Sequence, residues 1–353
     1  MTGARLAARA KDLALEAGFD LAGIARADAP PDLSFFAEWV ARGYGGEMAY
    51  LTGQVERRSD LRTAFPWARS VLCVGLQYDT PHPYSTAAPP DRGWISRYAW
   101  GDDYHHVLTA LLERVVGRLR AETDPFEARA YVDTGPVAEK AWAAAAGLGA
   151  WGKNGCLLHP EHGSWFFLGE LVTDLDLPAD SPRPDLCGTC TACLEACPTG
   201  ALVAPYVLDA TRCISYLTIE VKGAIPEDRR EGLGRHVFGC DICQDVCPWN
   251  RKRRHRGDAS FEPREGALAP DLEALAGLDD EGFRERFRRS PVKRAKRRGL
   301  LRNVAVALGN AGHASHRPLL ERMAADTDPV VGEHAGWALR RLDARLSSAA
   351  GSS

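Results

Sequence analysis

The sequence has 353 residues, of which 45% are hydrophobic and 26% charged, a composition typical of a soluble globular chain with room for two or three packed units. No stretch reaches the roughly 18 apolar residues that a membrane span requires, which argues against an integral membrane protein. The formal net charge of -3 excludes a uniformly basic chain, although the charge is unevenly distributed.

The N-terminal region predicts an α/β domain over residues 1–180. Its first 25 residues alternate apolar and charged side chains at helical spacing, without the apolar core of an export signal or a twin-arginine motif, so we expect a cytoplasmic protein. Apolar runs at 71–76 and 128–132 predict buried strands, whereas 104–119 and 137–148 have the spacing of amphipathic helices. The proline-rich segment 177–184 marks a boundary.

The middle region, predicted as a domain over residues 181–255, is defined by its cysteines. Eight of the ten lie between Cys187 and Cys247, while Cys73 and Cys156 stand alone. Clustered cysteines in a reducing compartment indicate metal ligands rather than disulfides. The first run has the spacing C-x2-C-x2-C-x3-C-P of two-cluster ferredoxins, in which the fourth cysteine binds the other cluster. The second run ends in the same way but has 26 residues between its first two cysteines.

This crossed arrangement predicts two [4Fe-4S] clusters in a ferredoxin-like domain. The first cluster takes Cys187, Cys190, Cys193 and Cys247, and the second takes Cys213, Cys240, Cys243 and Cys197. A pair of structural zinc sites is the alternative, although zinc ribbons more often have two separated C-x2-C pairs. Two neighbouring clusters would pass electrons to an electron acceptor elsewhere in the protein, which they would reduce.

Residues 256–353 predict an all-α domain. Residues 265–346 have almost no strand pattern, and they contain a weak repeat with a period of 31 that pairs Leu300, Val304, Val306, Ala307 and Leu308 with Val331, Ala335, Trp337, Ala338 and Leu339. Asp328-Pro329 is a typical helix start, so we interpret the pattern as HEAT-like repeats. Two unrelated amphipathic helices are the alternative.

A basic segment precedes the repeat. Nine of the 15 residues from Arg284 to Arg298 are Lys or Arg, against the single acid Glu285, and a shorter basic segment lies at 251–254. Such a one-sided run predicts contacts with nucleic-acid phosphates, which position a ligand without reading its sequence. A solvated helix face is the alternative explanation.

Five segments resemble one family almost residue by residue. The stretch at 213–250 reads CISYLTIEVKGAIPEDRREGLGRHVFGCDICQDVCPWN and is similar to the signature region of epoxyqueuosine reductases. Segments 45–51, 95–108, 131–171 and 290–310 match the same family. The sequence departs from the family at Gly155-Cys156 and at Ser59-Asp60-Leu61, neither of which is an expected catalytic position.

The resemblance implies an oxidoreductase of tRNA queuosine biosynthesis, which converts the epoxide of epoxyqueuosine at the wobble position into the alkene of queuosine. It implies base-off cobalamin between a nitroreductase-like α/β domain and the cluster domain, an external low-potential electron donor, and the anticodon stem-loop of queuosine-family tRNAs as partner. A monomer would suit so bulky a ligand. The cobalamin fingerprint D-x-H-x-x-G begins at Asp103 and His105, but Leu108 replaces its glycine, so no lower histidine ligand is expected.

By the same resemblance, Asp133 is the general acid that protonates the epoxide oxygen. It lies where a predicted strand ends, and burial beside a cofactor would raise its pKa, although a helix N-cap is the local alternative. Besides Asp133, the cobalamin candidates are Arg58, Arg97, Tyr98, Lys153, Asn154, Leu157, Leu168, Ser215 and Asp241. Core packing is the alternative for the two leucines and solvent exposure for Arg58. The tRNA candidates are Lys222, Arg284, Arg288, Lys293, Arg294, Lys296, Arg297 and Arg298.

Two other functions are compatible with the cysteine pattern. A reductive dehalogenase also joins cobalamin to two clusters, but such enzymes usually carry an export signal and no basic helical tail. A ferredoxin-like electron carrier with a helical module is the non-catalytic alternative. It would leave Asp133 without a role.

Overall fold

The computed structural model describes residues 2–28, 31, 33–84, 87, 89, 91–251 and 257–350. Its strands are β1 (Leu21–Arg26), β2 (Ser70–Gln77), β3 (Trp94–Ile95), β4 (Ala128–Tyr131), β5 (Ala150–Trp151), β6 (Leu157–Leu158), β7 (Phe166–Thr173), β8 (Leu202–Ala204), β9 (Val207–Leu208) and β10 (His236–Phe238). No helix of the described residues is long and apolar enough to cross a membrane.

The helices are short in the first two thirds of the chain and longer at its end. They are α1 (Gly3–Ala17), α2 (Ser34–Ala41), α3 (Ala49–Thr52), α4 (Val55–Ser59), α5 (Leu61–Ala64), α6 (Tyr104–Glu122), α7 (Glu139–Ala145), α8 (Ala192–Ala196), α9 (Ile214–Ile219), α10 (Glu227–Arg230), α11 (Ile242–Asp245), α12 (Pro248–Arg251), α13 (Leu272–Ala276), α14 (Asp280–Arg286), α15 (Lys296–Ala311), α16 (Arg317–Ala324) and α17 (Pro329–Ala350).

The N-terminal unit is built on a four-stranded sheet in the order β1-β2-β7-β4. Every neighbouring pair is antiparallel, so the sheet is not the parallel one that an α/β domain usually contains. The predicted strands at 71–76 and 128–132 are confirmed as β2 and β4. Sequence reasoning did not identify β7, which pairs with both of them and brings Glu170 opposite Cys73 and Tyr131.

Helices cover both faces of this sheet. Because successive strand residues point to opposite faces, Leu72 and Val74 of β2 pack with α1 and α6, while Val71 packs with α7 on the other side. The helix predicted at 104–119 is confirmed as α6, whose N-cap is Asp103. The helix predicted at 137–148 is shorter than expected, because Ala138 is not helical and Gly147 has a left-handed φ of 76°.

The cysteine-rich segment joins the sheet unit to the C-terminal helices. Between 174 and 191 the chain has no helix or strand, in keeping with the boundary expected at 177–184. The long insertion after Cys213 forms α9, α10 and β10, and β10 pairs in parallel with β3 of the N-terminal region. One apolar core then unites this insertion with the C-terminal helices.

The C-terminal region contains only helices among its described residues from 265 to 346. The helix start at Asp328-Pro329 is confirmed, since the Asp328 side chain accepts a hydrogen bond from the backbone of Val330. Helix α15 packs on α17, and Leu300 of the first helix and Val331 of the second are both fully buried. The repeated apolar positions therefore mark the shared interior of two packed helices.

Arg302 of α15 fastens the insertion to the C-terminal helices. Its side chain is 1% exposed and donates hydrogen bonds to the carbonyls of Leu217, Val221 and Gly223 at 2.7 to 2.9 Å. The neighbouring Asn303 donates to the carbonyls of Thr218 and Val237 at 2.8 Å. Buried carbonyls at the end of α9 are thus satisfied by side chains from a distant helix.

We expect Arg302→Leu to lower the free energy of unfolding by about 3 kcal/mol, because it leaves buried carbonyls without donors. Urea denaturation of the cluster-loaded protein under anaerobic conditions measures this loss. Arg298→Leu is the matched control, since Arg298 is half exposed and its ion pair with Asp328 at 3.1 Å is worth at most about 1 kcal/mol. Equal losses in the two variants would contradict the role given to Arg302.

Candidate active site

Four cysteines line one cavity of about 240 Å³, here called the cluster cavity. They are Cys187, Cys190, Cys193 and Cys247, the set assigned above to the first cluster. Leu158, Leu186 and Trp249 complete an apolar wall. The fold therefore closes the long sequence gap before Cys247 and turns the thiols toward a common space.

The other four cysteines lie together beside the first set. Burial raises the pKa of the Cys240 thiol well above its ordinary value, and negative charge on Cys213 and Cys197 adds to the effect. Burial raises the pKa of Cys243 in the same way, with contributions from Cys156, from Cys240 and Cys213, and also from Cys193 of the first set. Such thiols lose their protons to a metal rather than to water, and the two sets are adjacent.

The donor set and its surroundings fit iron-sulfur cubes. Backbone amides point at two of the sulfurs, from Lys153 to Cys187 and from Ala201 to Cys197, each at 3.4 Å. Hydrogen bonds of this kind tune cluster potentials. Within the described part of the chain, no three His, Cys, Asp or Glu side chains converge closely enough to hold one metal ion. A cube, with an iron at each thiolate, spreads its ligands more widely than the roughly 3.8 Å between thiolates around a zinc ion.

A glycine-rich turn at 152–155 braces both cysteine sets. The Lys153 ammonium donates to the carbonyls of Gly188 and Cys190 at 2.7 and 3.0 Å, and the Asn154 amide donates to the carbonyl of Cys243 at 3.2 Å. Lys153 and Asn154 also line the cluster cavity. The two residues, predicted as cobalamin contacts, are therefore placed against the cluster loops.

A larger cavity of about 770 Å³ contains Asp133 and is called here the Asp133 cavity. Aromatic rings form much of its wall, from Tyr50, Tyr78, Tyr98, Tyr104, Phe166 and Phe167. Helix α9 begins beside Cys213 and ends at Ile219, which lines this cavity. Six residues of helix rise roughly 9 Å, so the second cysteine set lies close to the cavity.

Asp133 is held in place by contacts on two sides. Its φ of 59° is in the left-handed region, which Asp tolerates better than most residues. Its backbone N–H donates to the Glu139 carboxylate, and its own carboxylate lies 3.3 Å from Nε2 of His105. Asp133 does not cap the following helix, whose N-cap is Ala138, so the N-cap alternative is wrong.

The charge on Asp133 differs from the expectation for an isolated buried acid. Burial favours its neutral form, but hydrogen bonding to His105 outweighs burial and lowers the pKa of Asp133. The predicted rise concerns the cavity with its cofactor bound and stays a prediction; in the protein alone, the contact with His105 favours the ionised carboxylate. Burial and the charge of Asp133 instead raise the pKa of Glu139 to about 7. Burial also raises the pKa of Glu170, whose carboxyl oxygens have no hydrogen-bond partner.

The remaining cobalamin candidates are distributed over three environments. Tyr98 and Leu168 line the Asp133 cavity with Asp133 itself. Ser215 lies on α9 two residues after Cys213 and lines neither cavity. The other four candidates are Arg58, Arg97, Leu157 and Asp241. All four side chains are buried, and none of them lines either cavity.

Internal partners explain the burial of these four side chains. Arg97 is 1% exposed, donates to the Thr80 carbonyl at 2.8 Å and stacks on the ring of Trp100. Asp241 accepts hydrogen bonds from Ser96 and from the backbone of Arg97. Arg58 is buried and donates to the Val137 carbonyl at 3.0 Å, so the alternative of solvent exposure is wrong. Leu157 belongs to the core beneath α7.

The basic segment is less one-sided in space than in sequence. Arg294 forms a two-point ion pair with Glu220, Lys293 pairs with Asp103 at 3.0 Å, and Arg297 donates to the Leu278 carbonyl. Lys293 and Arg294 also line the Asp133 cavity. The remaining predicted tRNA-binding residues are exposed to solvent: Lys222, Arg284, Arg288, Lys296 and Arg298. In the second basic segment, 252–254 lies outside the described residues.

Several cavity residues escaped sequence reasoning. His105 was considered only as a cobalt ligand, and Tyr104, Glu139 and Phe167 received no role. Their signal was present, since all lie in the segments 95–108 and 131–171 that resemble the family. Motif position did not reveal which side chains point into the cavity.

Known proteins similar to the chain point to one family. Residues 186–250 match the model of the 4Fe-4S double cluster binding domain, and residues 58–134 match that of Epoxyqueuosine reductase QueG, DUF1730. Epoxyqueuosine reductases of Xanthomonas campestris pv. campestris and Pseudomonas aeruginosa are 42% and 44% identical, over 94% and 96% of this chain and 95% of each relative.

A crystal structure of epoxyqueuosine reductase with a tRNA-Tyr epoxyqueuosine-modified stem loop is also similar. It is 32% identical with a TM-score of 0.86, covering 96% of this chain and 90% of that one. The cluster-domain match sets aside the zinc alternative and makes this an iron-sulfur protein with two [4Fe-4S] clusters. Identity at this level over nearly the whole of both chains makes this protein a member of the epoxyqueuosine reductase family.

Proposed function

We propose that this protein reduces the epoxide of epoxyqueuosine in tRNA, at wobble position 34, to the alkene of queuosine. The observation that carries the proposal is the position of Asp133 in an aromatic-walled cavity reached by the helix that starts at Cys213. A proton-donating group and an electron path meet there. The electron-carrier alternative gives this cavity no use, and the basic segment at its rim favours a polyanion over a small halogenated substrate.

Base-off cobalamin is the proposed cofactor of the Asp133 cavity. The aromatic wall suits a broad ring system, and Tyr98 and Leu168 are the predicted contacts that face it. His105, the histidine of the incomplete fingerprint, has Asp103 on one ring nitrogen at 2.7 Å and Asp133 on the other at 3.3 Å. An imidazole engaged on both nitrogens is not free to ligate cobalt, which supports the expectation that no histidine is the lower ligand.

When bound, reduced cobalamin would supply the low-valent cobalt that delivers electrons to the epoxide carbon. The chain's own residues orient the substrate, exclude water and provide protons. Asp133 is proposed as the group that passes a proton to the epoxide oxygen. Glu139 holds the Asp133 backbone in its left-handed conformation through the amide contact.

The anticodon stem-loop is the proposed partner of the exposed basic face. Lys293 and Arg294 lie at the cavity rim, and Arg288 and Lys296 extend the positive charge away from it. The helices that carry these residues are proposed to be HEAT-like, and the sheet unit nitroreductase-like. We also propose the domain division 1–180, 181–255 and 256–353, a monomer, an external low-potential electron donor, and a cytoplasmic site of action where the tRNA is found.

The double variant Arg288→Gln/Lys296→Gln is expected to weaken tRNA binding and to reduce the slope of log K against log salt concentration by about 2. The reason is that each phosphate contact formed on binding releases counterions from the RNA, so a variant with two fewer contacts releases fewer of them. Fluorescence anisotropy with a labelled stem-loop measures both effects. Arg118→Gln is the control, since Arg118 lies on α6 roughly 20 Å beyond the cavity end of that helix. An unchanged slope in the double variant would remove these residues from the interface.

An anaerobic turnover assay tests the proposed function directly. Cluster-loaded protein is incubated with cobalamin, a low-potential reductant and epoxyqueuosine-bearing tRNA, and the digested nucleosides are analysed by mass. Loss of one oxygen mass, dependent on cobalamin, is the expected result. No loss with both clusters intact and reducible would overturn the proposal.

A further inference from the structure

A continuous chain of charged side chains leads from the basic segment to Asp133. Lys293 Nζ lies 3.0 Å from Oδ2 of Asp103, Oδ1 of Asp103 lies 2.7 Å from Nδ1 of His105, and Nε2 of His105 lies 3.3 Å from Oδ2 of Asp133. Asp103 is only 4% exposed, whereas Asp133 opens into the cavity. The imidazole of His105 is therefore held between the carboxylates of Asp103 and Asp133.

The backbone makes this geometry precise. Asp103 is the N-cap of α6, and its carboxylate also accepts the backbone N–H of His105 at 3.3 Å. The ring of Tyr104 stacks on the imidazole with centroids 4.1 Å apart. The ring plane and both nitrogen positions are therefore fixed before any substrate binds.

We propose that His105 is the proton reservoir of the reaction and that Asp103 is the positioning residue that keeps it charged. This inference rests on the proposed function and extends it, because reduction of an epoxide to an alkene consumes two electrons and two protons and releases water. Because His105 favours the ionised form of Asp133, each of the two protons reaches Asp133 through this neighbour.

His105 Nε2 gives its proton to Oδ2 of Asp133, and Asp133 passes it to the oxygen as the first carbon–oxygen bond breaks. The imidazole takes a proton from solvent and repeats the transfer as the second carbon–oxygen bond breaks and the hydroxyl leaves as water. The two electrons are those of the proposed reduction, and no further reactant is needed.

The charged groups around the imidazole support this assignment. Burial opposes its charge, but the hydrogen bonds to Asp103 and Asp133 prevail and raise the pKa of His105 to about 9. Besides those two acids and Lys293, the titratable groups that line the cavity are Tyr50, Tyr78, Tyr98, Tyr104, His106, Glu139, Lys140, Glu220 and Arg294. At neutral pH His105 is therefore protonated and able to donate.

His105→Gln tests the proposal, since glutamine can hydrogen-bond to Asp133 but cannot carry the proton. We expect kcat at saturating tRNA to fall about 100-fold, with tRNA affinity and iron content unchanged. The wild-type rate should fall as pH rises through about 9, where His105 loses its charge, and this limb should be absent in the variant. Full activity of His105→Gln would overturn the inference.

Two charge variants separate proton supply from a merely structural role. Asp103→Asn keeps the N-cap but removes the carboxylate, so it should move the descending limb and the imidazole titration, followed by NMR in the free protein, to lower pH. Lys293→Met removes the charge that competes for Asp103 and should move the NMR titration to higher pH. If neither variant moves the imidazole titration, the inference fails. If the wild type does not turn over at all, the proposed function fails instead.

Discussion

Asp133→Asn is expected to lower kcat for epoxide reduction by about 10²–10⁴-fold, the usual contribution of a general acid. The asparagine amide fills the same space but does not transfer a proton. Asparagine also tolerates the left-handed φ of 59° at this position, so the backbone should not move. Single-turnover assays with preloaded tRNA and quantified nucleoside products measure the loss.

The controls for Asp133→Asn separate chemistry from assembly. Iron content and tRNA affinity should equal those of the wild type, because the substitution touches no cysteine and preserves side-chain volume, and cobalamin binding is measured separately because Asp133 is itself a predicted cobalamin contact. Thr134→Ser is the matched neighbour, since Thr134 lines the same cavity and its hydroxyl faces only the Val132 carbonyl. A normal rate for Asp133→Asn with both cofactors bound would show that another group supplies the proton.

Pairs of cysteine substitutions are expected to reveal which ligands share a cluster. Cys187→Ala/Cys247→Ala removes two ligands from the cluster cavity, so half of the iron should be lost and the other cluster kept. Cys187→Ala/Cys197→Ala removes one ligand from each set and should lose nearly all of the iron. Turnover should be abolished in both, because each lacks part of the electron path.

Iron and sulfide analysis after anaerobic reconstitution, with electron paramagnetic resonance of the reduced samples, distinguishes the two pairs. Cys73→Ala is the control, because Cys73 is fully buried in the sheet and far along the chain from the cysteine runs. Equal iron loss in the two double variants would contradict the crossed ligand assignment. Retention of half the iron in the second pair, with full loss in the first, would reverse it.

Local patterns were sufficient for the elements that local chemistry determines. The apolar run of β2, the periodicity of α6 and the helix start at Asp328 were predicted from neighbouring residues alone. The grouping of the cysteines followed from a spacing rule that reflects cluster geometry, and the cluster cavity contains the first predicted set.

Side-chain direction could not be predicted in the same way. Arg97 and Asp241 lie in segments that resemble the family, yet both are buried away from the cavities. The backbone N–H of Arg97 donates to the Asp241 carboxylate, because the residues after β3 and the start of α11 meet there. The pKa of Asp133 depended on His105, which is 28 residues distant in sequence. Likewise, the acids that pair with the basic segment include Glu220 at the C-terminal end of α9, Asp103 at the N-cap of α6 and Asp328 at the start of α17. Only the tertiary arrangement brings these charges together.

The contacts of Arg302 also constrain how the protein matures. Ribosomes deliver the insertion that carries Cys213 and Cys240 before they deliver α15, whose side chains satisfy the carbonyls around α9. Until α15 emerges, this stretch of nascent chain lacks the donors that hold its native shape. We therefore expect the second cluster site to reach its native shape only after α15 is synthesised, so that its iron is loaded near the end of translation.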